Sequence, residues 1–273
     1  MSESENIVLG ESEGLTVTIL GSGSSGGVPR LGDQWGACDP DEPKNTRRRC
    51  SMLVEKGETK ALVDTSPDMR QQLIDAKCGH LDAVLYTHDH ADQVNGIDDL
   101  RMIAYNMRQR VPVFMDRATS ATLMKRFDYC FIQEEGSYYP PILEEIPMPD
   151  PGDELIVFGN GGDIVAQPFL QYHGNINSLG FRFGPVAYSA DVVGLPEQSF
   201  KCLEGVKCWI VDALRYEKHV SHSHVAQTLE WIERVKPELA ILTNLHVDLD
   251  YQTLKAELPE GVIPAYDGLQ VSF

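Results

Sequence analysis

Positive charge is what this sequence has least of. Lys and Arg total 23 against 41 Asp and Glu, which leaves a formal net charge of −18. A nucleic-acid duplex or an anionic membrane needs a positive surface, so neither is expected as the main partner. Long apolar runs are absent too, and no stretch has the length of a membrane span. The opening residues, MSESENIVLGESEG, lack the basic segment and apolar core of a secretory signal. They are expected to form an acidic flexible tail over residues 1–14. The six cysteines, Cys38, Cys50, Cys78, Cys130, Cys202 and Cys208, include no CxxC pair. That argues against a disulfide framework and fits reduced thiols in the cytoplasm. Neither a short-period repeat nor a low-complexity linker divides the chain, so residues 15–273 are expected to form one domain. With 42% hydrophobic residues, that domain can fill a sizeable core.

What is present alternates between strands and helices. LTVTIL (15–20) has strand alternation and runs into GSGSSGGVPR. A long polar stretch (33–50) ends in NTRRRC. SMLVE and KALVDT (60–65) read as a hairpin around Gly57. SPDMRQQLIDA carries a Ser-Pro helix start. AVLYT (83–87) is a short buried strand, and Ile97, Leu100, Ile103 and Ala104 have helical spacing within 97–108. Residues 134–163, rich in Pro, Gly and acids, read as loops around short strands. FRFGPVAYSAD (181–191) reads as a strand pair ending at Asp191, CWIVDAL (208–214) as a buried strand and LAILTN (239–244) as another. VAQTLEWIERV (225–235) is a helix with Val225, Leu229, Ile232 and Val235 on one side. These patterns predict a compact α/β unit.

The densest chemistry is in THDHADQVNG (87–96), where His88 to Asp92 hold two histidines and two aspartates directly after a strand. Two histidines at i and i+2 can point at one ion through neutral ring nitrogens. Asp92 points elsewhere and could bind a second ion or a water held by metal. His173 follows a predicted strand in LQYHGN. Asp191 stands at a strand end, where open α/β architectures place functional groups. His246 lies two residues after Asn244 in LTNLHVDLDY, and in an extended chain the two share a face. GSGSSG (21–26) formally fits a dinucleotide fingerprint, but Gly27, Val28, Pro29 and Arg30 do not start the helix that must meet the pyrophosphate. A loop that brings backbone close to a ligand is the remaining reading. EKHVSHSHVAQ sets His219, His222 and His224 ahead of a helix, and histidine suits proton delivery to a leaving alkoxide near neutral pH. Arg47, Arg48 and Arg49 form a basic run; a guanidinium there could pair with a substrate phosphate, with surface ion pairs as the competing role. His80 reads as structural.

The order HxHxD, a distant His, a distant Asp and a late strand with His resembles the metallo-β-lactamase fold. Within it the similarity is greatest to the phosphoribosyl cyclic phosphodiesterase branch. It runs from ILGSGSSGGVP through YSADVVGLPE to ILTNLH and AYDGL, nearly the whole chain. The resemblance implies an αββα four-layer sandwich with a metal site at one edge of its two sheets. His88, His90 and His173 would hold a first ion, Asp191 would bridge to a second, and Asp92 would hold the second. Asp64, in LVDT, would orient a ligand histidine through its other ring nitrogen. His222 aligns with the general acid, and His224 competes for that role.

Two positions depart from the family pattern. Its HxHxDH motif reads His88-Asp89-His90-Ala91-Asp92-Gln93 here, and its last ligand falls on Asn244. Amide oxygens are weak ligands for zinc and better ones for hard ions such as Mn²⁺. His246 could substitute. The expected cofactor is therefore zinc or manganese, with one firmly bound ion and a weak second. The branch's cysteine-rich structural zinc site is not expected, since its stretch keeps only Cys38 and Cys50.

The implied activity is hydrolysis of a small, cyclic phosphate diester, with hydroxide from a metal-held water as nucleophile. The alternatives are a tRNA-processing nuclease or thioesterase on the same fold, or a non-catalytic ligand- or metal-binding protein like coenzyme PQQ biosynthesis protein B. Loss of two imidazoles keeps the last in play. By resemblance, the assembly is a homodimer.

Overall fold

The structure, a computed structural model, describes residues 6–10, 14–133 and 135–273. In chain order the first strands are β1 (Asn6–Val8), β2 (Leu15–Gly21), β3 (Ser51–Lys56), β4 (Thr59–Val63), β5 (Ala83–Leu85), β6 (Val111–Met115) and β7 (Leu143–Pro147). There follow β8 (Leu155–Val157), β9 (Ile164–His173), β10 (Ile176–Phe183), β11 (Val186–Ser189), β12 (Cys208–Asp212), β13 (Leu239–Thr243), β14 (Val262–Pro264) and β15 (Gln270–Ser272). They form an 8-stranded sheet in the order β1-β15-β2-β3-β4-β5-β6-β7 and a 7-stranded sheet in the order β14-β13-β12-β11-β10-β9-β8. The helices are α1 (Met69–Asp75), α2 (Ala91–Val94), α3 (Leu100–Met107), α4 (Arg117–Arg126), α5 (Asp128–Phe131), α6 (Glu197–Leu203), α7 (Val225–Val235) and α8 (Tyr251–Glu257).

Strand pleating explains the layers. In β3, Met52 and Val54 enter the core between the sheets while Leu53 faces the helices of the first sheet. In β12, Cys208 and Ile210 point inward, and Trp209 and Val211 meet the helices of the second sheet. A strand covered on both faces needs apolar residues at every position, so these strands read as continuous runs. Met69, Leu73, Leu100 and Ile103 close one outer layer; Phe200, Val225, Ile232 and Leu254 close the other. The result is the expected αββα sandwich.

The tail expectation needs correction at residues 6–8. β1 pairs in parallel with β15, with Ile7 opposite Val271, and Leu9 N–H donates to the Ser272 carbonyl at 2.9 Å. Ile7 and Leu9 pack against the inter-sheet core, so an apolar trio inside an acidic segment is enough to add an edge strand. Residues 1–5 and 11–13 of that tail lie outside the described residues. No described helix is long and apolar enough to cross a membrane. In the polar stretch, Cys38 donates to the carbonyls of Val247 and Leu249, both at 3.4 Å, and packs with Val28, Trp35 and Val247. Cys50 lies elsewhere, against the Gly23 carbonyl at 3.4 Å, so the two thiols share no site.

Candidate metal centre

β11, β12 and β13 run parallel, and their C-terminal ends converge on one edge of the sandwich. The chain turns sharply there. Asp64, Asp191 and Asn244, each just past a strand, adopt left-handed backbone with φ of 63°, 51° and 62°. Non-glycine residues in that region carry strain, which gathers where a side chain must be aimed.

His88, His90 and His173 meet at this edge, and one ring nitrogen from each lies within 4.8 Å of the others. For His173 and His88, hydrogen bonds fix which nitrogen faces inward. The Ser221 carbonyl can only accept, so His173 Nδ1 donates to it at 2.7 Å and Nε2 keeps its lone pair. Thr87 Oγ1 donates to Asp64 Oδ2 at 2.8 Å, so His88 Nδ1 donates to Thr87 Oγ1 at 2.9 Å. His88 Nε2 is then a buried lone pair with no hydrogen-bond partner. His90 Nδ1 stands 3.2 Å from His173 Nε2. Nitrogens bound tetrahedrally to one zinc ion at ~2.0–2.1 Å lie about 3.3 Å apart, so the spacing suits a shared cation. Burial, with the imidazoles of His173, His90 and His222 nearby, holds the His88 pKa well below the ordinary histidine value. Neutral imidazole is the form that binds metal. His88 and His173 are buried and His90 is exposed, so the centre opens to solvent on the His90 side. These donors fit a divalent ion.

Asp191 borders the same centre, with Oδ1 3.9 Å from His173 Nε2 and 3.7 Å from His222 Nδ1. Burial pushes its carboxyl up, and the His222 and His173 rings pull it back. Burial and the Asp191 charge also raise Asp92. His222 Nδ1 donates to Asp212 Oδ2 at 2.8 Å. Burial opposes charge on this ring, but the Asp212 carboxylate overrides it, helped by Asp191 and Asp92, and pushes the pKa up to about 9.

Other expected residues stand differently. Asp64 reaches His88 only through Thr87: its carboxylate accepts from Thr87 N–H and Oγ1, both at 2.8 Å. His246 is not in the cluster. The left-handed turn at Asn244 breaks the extended alternation, and His246 instead pairs with Arg30 and with Asp248, the latter at 2.8 Å. His224 is the N-cap residue of α7, and its side chain makes no capping hydrogen bond. Arg47 is buried, its guanidinium donating to Asn45 Oδ1 at 3.1 Å and the His246 carbonyl at 3.3 Å. Arg48 pairs with Asp75 at 2.7 Å and Arg49 with Asp68 at 2.8 Å. All three arginines, with Arg30, line a cavity of about 570 Å³ beside the Gly/Ser loop. His80 is structural, with Nε2 2.8 Å from the Glu58 carbonyl.

Sequence reading missed Asp212. It ends the apolar strand CWIVD, the same signal that singled out Asp191, and lies fully buried with Val192 N–H at 3.1 Å and His222 as partners.

Residues 59–244 match the family model of the beta-lactamase superfamily domain. The chain belongs to that superfamily. Its relatives carry more than one named activity. It is 31% identical over 259 residues to an octanoyltransferase of Porphyromonas gingivalis, a match covering 92% of this chain and 50% of that protein. It is 28% identical over 147 residues to ribonuclease Z of a Bradyrhizobium species, covering 52% of this chain and 46% of that protein. The chain thus spans about half the length of the curated relatives it matches. Among solved structures, a diphosphatase of the PhnP family superposes with a TM-score of 0.86 at 31% identity, covering 95% of this chain and 97% of that one.

Proposed function

We propose that this hydrolase is a metal-dependent phosphodiesterase acting on a small, cyclic phosphate diester. The observation that carries the reading is the pairing of His222 with the three-histidine centre: its ring lies 4.7 Å from that of His173 and is charged by Asp212. His88, His90 and His173 would hold a divalent ion, zinc or manganese, which would supply a water of lowered pKa and positive charge for the phosphoryl oxygens. The chain's own residues do the rest. Asp92, beside the ion's place, orients the attacking water. Asp212 fixes the His222 tautomer and keeps a proton ready on the imidazole. That proton goes to the leaving oxygen, a step thioester hydrolysis needs less because a thiolate leaves readily. The likeness to the PhnP-family diphosphatase, nearly end to end, supports phosphate chemistry. A nuclease reading draws support from the ribonuclease Z relative, but the −18 charge opposes it.

Activity assays on the metal-loaded protein test this. Bis(p-nitrophenyl) phosphate and a 2′,3′-cyclic nucleotide should be cleaved, and an octanoyl thioester and a tRNA precursor should not. His88→Ala/His90→Ala should lose both the ion and the turnover. Hydrolysis of the thioester without cleavage of either diester would overturn the assignment.

A further inference from the structure

We propose that this centre holds a single ion, and that the side-chain amides of Gln93 and Asn244 stand in the place of a second. The inference rests on the functional reading above only for the ion at the three histidines, and needs no substrate.

The two halves of the centre present opposite chemistry. On one side His88 Nε2, His90 Nδ1 and His173 Nε2 converge, and His88 Nε2 has no partner. Three ring nitrogens so placed, one of them carrying a buried lone pair without a partner, suit a cation. On the other side the two carboxylates already face protons. Gln93 is fully buried, and its Nε2 donates to Asp191 Oδ2 at 2.8 Å. The same side chain hydrogen-bonds Asp92. Asn244, also buried, brings Nδ2 to 3.5 Å from Asp191 Oδ1 and 3.2 Å from His222 Nδ1.

The orientation of the Gln93 amide follows from its neighbours. Ionised carboxylates only accept, so the NH₂ end faces Asp191 and Asp92, with one N–H available to each. Gln93 Oε1 then points away, buried and without a hydrogen-bond partner. A second ion in this half would displace both N–H groups from Asp191 and Asp92. It would gain in return amide oxygens, which are poor ligands for transition metals, and the His222 ring, which lies with His173 and Asp191 but already spends Nδ1 on Asp212. The substitutions at the two imidazole positions are therefore paired in effect. Gln93 replaces a lone-pair donor to metal with a proton donor to carboxylate, and Asn244 replaces one with an amide nitrogen 3.5 Å from the same carboxylate.

Counting retained ions decides the matter. Metal-free protein is loaded with excess Mn²⁺ or Zn²⁺, desalted and measured by native mass spectrometry, with His88→Ala/His90→Ala as the background for adventitious binding. The wild type should retain one ion per chain with either metal, and the Mn²⁺ form should give the EPR spectrum of an isolated ion. Gln93→His/Asn244→His, or Gln93→His alone if the double variant does not fold, should retain two. Two ions in the wild type, or a spin-coupled Mn²⁺ pair, would overturn the inference even if no variant folds. A folded double variant that still retains one ion would equally show that the amides do not close the site. Retention of no ion by the wild type would instead sink the functional reading on which the single-ion centre depends.

Discussion

His222 is held by a buried carboxylate that raises its pKa. Asp212 is buried at 0% exposure and spends one oxygen on the Val192 amide and the imidazole. His222→Ala should lower turnover roughly 10²–10⁴-fold on a diester with a poor leaving group. The loss should be far smaller on a nitrophenyl ester, whose leaving group needs no proton. Equal losses on both would show that the ring holds the site together instead. The pH profile gives an independent check. An acid with a pKa of about 9 is protonated across the neutral range, so activity should fall only as pH rises past that value. In Asp212→Asn the falling limb should move down toward the ordinary histidine value of about 6.5; an unmoved limb would assign it to another group. At this scale the three histidines were legible because their order and the i, i+2 spacing after a strand are local features. The place of His246 was not, because it depends on a left-handed turn at Asn244 that the alternation rule cannot foresee.

α8 shows how a short element is fixed by its cap. Asp250 accepts from Thr253 N–H and Thr253 Oγ1 at 2.9 Å, which caps the helix. It also accepts from Asn45 Nδ2 at 2.7 Å and Asp39 N–H at 3.2 Å, which ties the polar stretch before β3 to the helix. Slight burial opposes the charge, but the hydrogen bonds from Thr253, Asn45 and Asp39 hold the carboxyl down to about 2. That lies below the unfolded value of about 3.9. The stabilisation is therefore complete above about pH 4 and fades as pH falls toward 2. Asp250→Ala should cost about 1 kcal/mol near neutral pH, a loss of a few degrees in Tm. Its deficit against wild type should shrink between pH 4 and 2, and a constant deficit would mean that lost packing dominates. Elements with strong periodicity, such as α7 and β12, matched their sequence patterns closely. α4, α8, β14 and β15 passed unnoticed, since short polar helices and three-residue strands carry too little period and owe their form to neighbours.

The whole molecule confronts any phosphate substrate with its own sign of charge. The −18 net charge repels anions over a Debye length, about 30 Å at 0.01 M salt and about 8 Å at 0.15 M. The basic residues nearest the Gly/Ser loop do little to offset this, because Arg48 and Arg49 already pair with Asp75 and Asp68. Arg30 differs in pairing with a neutral-leaning imidazole: burial and the arginine itself lower the His246 pKa. One guanidinium at the rim acts at contact distance and steers little from afar. For a small anionic diester, kcat/KM should therefore rise as salt increases from 0.01 to 0.15 M, through a lower KM at constant kcat. A polyanion sums the same repulsion over many phosphates, so tRNA should bind weakly at every salt concentration. A nucleic-acid enzyme behaves in the opposite way, since releasing counterions makes its affinity fall steeply with salt. Titration of labelled tRNA across that salt range separates the two. Tight binding at low salt that collapses by 0.15 M would return the protein to the ribonuclease reading, because it would reveal a positive surface that the paired arginines do not supply.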